Sequence, residues 1–368
     1  MHRLALVGMV MLGACLTQPA AYAAKNKPGA AAKPPPVGDA ATSAALSALP
    51  DPMVVQYNSN GLSLKAWIYK PEGPGPFPVI VSNHGSGKPV SLDKTVAQFW
   101  LSQGFVFFRP ARSGHGDNPG AYIGDETAPI KAKVRAALAN PKTTPAELQK
   151  LYDQAIALHK KANGDVVAAF RWLVTQPYVD PARVVVTGGS YGGIQTLLMA
   201  SANKQEHLGI RGFIAMSPAA ESWEFGKPRP QDPGHENPEG NTAFARYLTD
   251  VIKNSEGPIF LMQAHNDYSL GPTTYLGPVV EARGAPNRCA VFPTHGSPTD
   301  PTQGHGKFFM DPSAWAPQVW DYLQAIGEVP AATTLVSSAA TVSPLPKPGT
   351  VPPRRGSGLA IETCGPGE

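Results

Sequence analysis

Ser190 stands in Gly188-Gly189-Ser190-Tyr191-Gly192-Gly193, between a Val184-Val185-Val186 run and an apolar-periodic segment reaching about Ala202. Glycine, serine and glycine at this spacing, entered from a buried strand and left through a helix, put a hydroxyl on a sharp, strained turn. The flanking residues are small enough for strand and helix to close on each other. The hydroxyl then lies at a helix N-terminus, where free N–H groups and the helix dipole favour a developing oxyanion. A glycine-rich turn around an ordinary serine would need none of this context. The pattern predicts nucleophilic catalysis by Ser190.

A serine hydroxyl is a poor nucleophile until a base takes its proton, and the base needs an orienting acid. With this turn the partners are expected in the order serine, carboxylate, histidine, each just after a later strand. Asp267, in Gln263-Ala264-His265-Asn266-Asp267 beyond a Pro258–Met262 strand, fits the acid. A turn residue capping a helix near Pro272 is its competing reading. Glu221 is the runner-up acid, with Asp300 and Asp311 more remote. For the base, His305 in Gly304-His305-Gly306 precedes the final helix and is favoured over His295 in Thr294-His295-Gly296. Two backbone donors should stabilise the oxyanion. Tyr191 supplies one, and His84-Gly85-Ser86-Gly87 the other, with Ser86 favoured, Gly87 close behind, and His84 read as structural.

Other motifs fail on inspection. Gly87-Lys88 lacks the upstream glycine of a phosphate loop and runs into Pro89, and Gly114-His115-Gly116 lacks the third glycine of a dinucleotide fingerprint. No His-Glu-x-x-His and no cysteine pair at zinc spacing occurs, so no cofactor and no metal are expected. The formal charge of +4 is small and dispersed, with no basic stripe to bind nucleic acid.

The elements that must position these residues alternate. Met53–Tyr57 and Leu62–Tyr69, joined through Asn58-Ser59-Asn60-Gly61, read as an opening hairpin. Strands follow at Pro78–Ser82, Phe105–Arg109, Val184–Thr187, Gly212–Met216, Pro258–Met262 and Cys289–Phe292. Helical spacing lies between them, clearest at Val166, Ala169, Phe170, Leu173 and Val174, and a last helix holds Val319, Trp320, Leu323 and Ile326. The expected fold class is α/β, a mostly parallel central sheet flanked by helices on both faces. Asp117 to Gly164 and Ala220 to Asn241 exceed what simple crossovers need. Thr144-Pro145-Ala146-Glu147 opens a helix in the first with a capping threonine, Pro at N1 and Glu at N3. Either segment is a candidate cap over the site, or surface decoration.

The chain has 368 residues, 42% hydrophobic and 16% charged, enough apolar content for a sizeable core and little charge for a cytosolic protein. Residues 1–23 read as an export signal: Met1-His2-Arg3, an apolar run from Leu4 to Leu16, and a small-x-small site at Ala21-Tyr22-Ala23. Leu12-Gly13-Ala14-Cys15 offers a rival route, a lipoprotein signal whose Cys15 would be lipidated. Residues 24–50 form an Ala/Pro-rich linker, 51–328 the catalytic domain and 329–368 a Pro-rich tail. Cleavage after Ala23 would leave Cys289 and Cys364, free to pair in an oxidising compartment or to remain two thiols.

Taken together, these residues resemble the α/β-hydrolase superfamily, in its dienelactone hydrolase-like and prolyl-oligopeptidase-like branch. The resemblance runs from about Val54 to Gly327 through His84-Gly85-Ser86-Gly87 and Arg109-Pro110-Ala111-Arg112-Ser113-Gly114-His115-Gly116. It continues through Asp165, Trp172-Leu173, Gln176-Pro177, Val179-Asp180-Pro181, Arg183, the serine motif, Asp267 and Gly304-His305-Gly306. It implies an α/β-hydrolase fold with Ser190, Asp267 and His305 as triad. Ala111-Arg112 stands where the branch reads Arg-Gly, so Arg112 is read as structural. The nucleophile is Ser190 where a dienelactone hydrolase proper has cysteine. The linker is too short for the β-propeller of many peptidases in the branch, which favours ester hydrolysis. The expected function is an exported, secreted or periplasmic serine hydrolase acting on a small-molecule acyl ester, with membrane contact only through a lipidated Cys15. Peptide or amide hydrolysis by the same triad is the alternative. A non-catalytic envelope binding protein on a hydrolase scaffold is a second, and it predicts a broken triad.

Overall fold

The computed structural model describes residues 49–218, 238–330, 333 and 362–364. The expected leader and nearly all of the linker lie outside them, as does most of the tail. So does most of the Ala220 to Asn241 segment, with Glu221, Trp223, Phe225, His235 and Glu236.

Among the described residues, nine strands form one sheet in the order β1-β2-β4-β3-β5-β6-β7-β8-β9. They are β1 (Met53–Ser59), β2 (Leu62–Tyr69), β3 (Phe77–Asn83), β4 (Val106–Pro110), β5 (Val179–Gly189), β6 (Gly212–Met216), β7 (Ile259–Ala264), β8 (Arg288–Phe292) and β9 (Glu362–Thr363). β1, β2 and β4 pair antiparallel in turn, β3 to β8 are mutually parallel where they pair, and β9 closes the far edge antiparallel. This is the expected α/β class. The helices are α1 (Lys94–Ser102), α2 (Ile123–Ala139), α3 (Pro145–Leu173), α4 (Tyr191–Glu206), α5 (Pro238–Lys253), α6 (Gly271–Glu281), α7 (Phe308–Met310) and α8 (Pro312–Ala325). A π-helical turn over Gln303–Lys307 runs into α7.

Buried parallel strands alternate between two cores, one on each face. Val79, Val81, Val184, Val186, Phe213, Ala215, Ile259 and Leu261 join the core under α3 to α6. Their neighbours Ile80, Val185, Ile214, Met216, Phe260 and Met262 join the core against α1 and α8. Apolar side chains on both faces explain why the central strands read as unbroken hydrophobic runs. Each buried valine, leucine, isoleucine, phenylalanine or methionine among them contributes roughly 1.5–3 kcal/mol. α4 is buried from Tyr191 to Asn203, so it lacks the polar stripe of a surface helix.

α3 is one 29-residue helix, opened at Thr144 by the expected capping box and returning the chain from β4 to β5. The surplus over a simple crossover is therefore α2 and its flanking loops. At the other end, the tail beginning at residue 329 is not wholly separate from the domain. β9 pairs with Ala290 and Val291, and a Cys289–Cys364 disulfide ties it to the sheet.

Candidate active site

Parallel strands deliver their following loops to one edge of the sheet, where the 84–87 loop, Ser190, Asp267 and His305 follow β3, β5, β7 and β8. Ser190 caps α4 with φ 58° and ψ −128°, a left-handed conformation that costs a non-glycine residue roughly 1–3 kcal/mol. The surroundings enforce it. The Ser190 N–H donates to the Met216 carbonyl at 3.1 Å, and the Ser190 carbonyl accepts from Gly193 N–H at 2.8 Å. A side chain on Gly192 would collide with the Asn83 carbonyl. One on Gly189 would lie 2.5 Å from the Phe309 ring, so that ring sits directly against the turn.

Phe309 brings the base with it, its ring 5.8 Å from that of His305. His305 Nδ1 lies 2.7 Å from Asp267 Oδ1, with the two side chains 13% and 1% exposed. Asp267 is held on both oxygens. Its Oδ1 also accepts from Tyr268 N–H at 2.6 Å, and its Oδ2 from Gln263 Nε2 at 2.8 Å. Asn266 ties this loop to the next: its amide donates to the His295 and Ser297 carbonyls and accepts from the His295 N–H. His295 is directed elsewhere, its Nε2 3.7 Å from Asp311 Oδ2. Asp300 bonds within its own loop, to Thr302 and Gln303, and Asp311 caps α8 through Ser313. The runner-up acid Glu221 lies outside the described residues.

Across the turn, a side chain placed on Gly85 would lie 3.7 Å from Ser190 Cβ, so the 84–87 loop borders the serine. Tyr191 is N1 of its helix, where the N–H has no intrahelical acceptor. Its phenol points inward, accepting or donating at 2.9 Å with His159 Nδ1, and the Arg112 guanidinium lies 4.9 Å above its ring. Burial drives the Tyr191 hydroxyl's pKa up, so it stays protonated. Arg112 is buried, donates from Nη2 to the Gly85 carbonyl at 2.7 Å, and accordingly serves the loop's structure. Burial lowers its pKa to about 10, which still leaves it charged at neutral pH. Burial, reinforced by Arg112, holds His84 well below the usual histidine range and pushes His115 down to about 4. Burial lowers His159 to about 3. These three rings are neutral scaffolding.

Three contributors carried no recognisable sequence signal of their role. Gln263 is a buried polar residue on β7 that anchors Asp267. Tyr122, N-cap of α2, donates to the Ser86 carbonyl at 2.5 Å. Arg109 forms a buried ion pair with Asp93 at 2.6 Å and donates to Ser82 Oγ at 2.8 Å. That pair lines a small cavity of about 20 Å³ with Gly85, Gly189, Met216, Trp100 and Phe309. Among the described residues no group of three or more His, Cys, Asp or Glu side chains is placed to hold a metal ion.

The model of the prolyl oligopeptidase family matches residues 136–276. The match covers less than half of the chain, and the architecture that goes with it is the α/β class described above. The matched stretch carries Ser190 and Asp267 and ends before His305. No curated protein matches. Among solved structures, a puromycin-hydrolyzing peptidase of Mycobacterium tuberculosis is 17% identical, over 77% of this chain and 41% of its own, with a TM-score of 0.48. The acylaminoacyl peptidase of Pyrococcus horikoshii is 20% identical, over 71% and 41%, with a TM-score of 0.46. Est1E of Butyrivibrio proteoclasticus, solved with ferulic acid bound, is 16% identical, over 74% and 99%, with a TM-score of 0.47. The chain thus spans about two fifths of those two peptidases' length.

Proposed function

We propose that this chain is an α/β-hydrolase, an exported enzyme that cleaves carboxylic esters through an acyl-enzyme on Ser190. The observation that carries the reading is the Asp267–His305 hydrogen bond, set beside a serine held in a left-handed turn. Asp267 accepts from Nδ1 and leaves Nε2 as the basic nitrogen. His305 then takes the Ser190 proton as Oγ attacks the acyl carbon, and returns it to the leaving alkoxide. Tyr191 N–H and an amide of the 84–87 loop hold the oxyanion. Water, deprotonated by the same imidazole, releases the acid. The ester reading is supported by the engagement of two described carboxylates, Asp267 with His305 and Asp93 with Arg109, so that neither is offered to a peptide's free amine.

The family match favours a second reading, peptide or amide cleavage by the same triad. Export rests on the leader-like residues 1–23 and is supported by the Cys289–Cys364 disulfide, a bond that persists outside the reducing cytosol.

Turnover of a panel of acyl esters and aminoacyl amides by the wild type and Ser190→Ala tests the chemistry. Ester cleavage and fluorophosphonate labelling are expected, both abolished by the substitution. Labelling undiminished in Ser190→Ala removes the serine from the mechanism. Efficient release of an N-terminal residue or dipeptide, lost on changing Glu221 or Glu236, replaces the ester reading with the peptidase one. The intact mass of the native protein tests export. A chain starting at Ala24 supports secretion and a diacylated Cys15 a tethered lipoprotein, whereas Met1 retained in a cytosolic fraction refutes both.

A further inference from the structure

Two peptide units of the 84–87 loop have their carbonyls anchored from behind. The Gly85 carbonyl accepts from Arg112 Nη2 at 2.7 Å, and the Ser86 carbonyl from Tyr122 Oη at 2.5 Å. A trans peptide points its N–H opposite to its C=O. The Arg112 bond therefore sets the direction of the Ser86 N–H, and the Tyr122 bond that of the Gly87 N–H. These are the two amides between which the sequence left the second oxyanion donor open.

A side chain at Gly87 would find nothing nearer than the Pro89 carbonyl at 3.6 Å, and beyond it the loop is next held where the Lys88 carbonyl accepts from Gly116 N–H at 2.7 Å. Tyr122, by contrast, is fixed on several sides. Its ring meets the His115 ring edge-on at 5.0 Å, and Lys88 Nζ lies 5.5 Å over its face. Gly124 leaves the space it occupies: a side chain there would press on the ring and approach the hydroxyl to 3.0 Å.

We propose that Tyr122 is a positioning residue for oxyanion stabilisation, its hydroxyl gripping the Ser86 carbonyl so that the loop's amides stay aimed at the acyl oxygen. This rests on the serine-hydrolase reading above. It also gives the segment around α2 a task, bracing the site rather than decorating the surface.

Tyr122→Phe removes one oxygen and keeps the ring. Complete loss of an oxyanion donor costs about 10²–10³ in kcat, so a donor left in place but poorly aimed should cost about 10- to 100-fold. The loss should fall on kcat and kcat/KM alike, with KM little changed, because the interaction forms in the transition state. A trifluoromethyl ketone provides the second readout. Ser190 Oγ bonds to its carbonyl carbon, the serine proton passes to His305, and the ketone oxygen becomes an oxyanion in the hole. Its affinity should drop by a similar factor. Rates are expressed per serine labelled by fluorophosphonate at saturation, so that partial misfolding does not count as catalysis lost. A second variant, 3,5-difluorotyrosine at position 122, keeps the hydrogen bond until its more acidic hydroxyl ionises. A new fall in kcat toward alkaline pH, absent from the wild type, is expected. Unchanged kcat and ketone affinity in Tyr122→Phe, or no alkaline fall in the difluoro variant, overturns the positioning role while an active, labelled wild type keeps the hydrolase reading. A wild type that neither hydrolyses esters nor takes the label overturns both.

Discussion

Asp267 uses both carboxylate oxygens to accept three hydrogen bonds, from His305, Tyr268 and Gln263. A carboxylate thus clamped cannot turn away, and as a pure acceptor it demands the proton on His305 Nδ1. The basic lone pair is then at Nε2 whenever the ring is neutral. His295 has no such arrangement. Its backbone is held by Asn266, and its ring faces the half-exposed Asp311. In ester turnover, His305→Ala should lose on the order of 10⁴ in kcat, as removal of a triad member does. His295→Ala should stay within severalfold of the wild type. A dead His295→Ala beside a near-normal His305→Ala would move the base earlier in the loop and disconnect Asp267 from the chemistry.

At the scale of elements, legibility followed the length over which each signal acts. The strands were readable because apolar side chains buried on both faces leave a continuous run, and β3 to β8 fall within a few residues of the runs that announced them. The turn at Ser190 was readable because its strand, small residues and helix are contiguous. Asp267 and His305 were legible as loop residues after β7 and β8 in the expected order. The candidate for the second oxyanion donor stayed open between Ser86 and Gly87 for a physical reason. The aim of those amides is set by Arg112 and Tyr122, 27 and 36 residues from the carbonyls they hold. β9 was not legible: two residues in a Pro-rich stretch have no periodicity, and only the odd placement of Cys364 hinted at an anchor. Its Cα lies 5.3 Å from that of Cys289, a separation no sequence pattern reports.

For the molecule as a whole, stability and chemistry are separated across the sheet. The loops carrying the candidate site leave the carboxyl ends of the strands. Glu328, by contrast, meets Arg183 early in β5, and Arg211 just before β6 holds the nearby Ile326 carbonyl at 2.9 Å. The Glu328 side chain is fully buried, with Arg183 Nε 3.4 Å from Oε1. Burial pushes its carboxyl from 4.5 up to about 7, the two arginines offsetting only part of the cost. The folded protein therefore binds this proton more tightly than the unfolded chain does. Between about pH 4.5 and 7 it holds more protons, so raising the pH through that window withdraws stability, by an amount on the order of 3 kcal/mol. Glu328→Gln imitates the protonated form at every pH. Its melting temperature should match the wild type near pH 5 and exceed it increasingly toward pH 8, with turnover per labelled serine unchanged because the site lies at the other edge. A variant that instead becomes less stable than the wild type as the pH rises would mean that attraction to the arginines outweighs the cost of burying the charge.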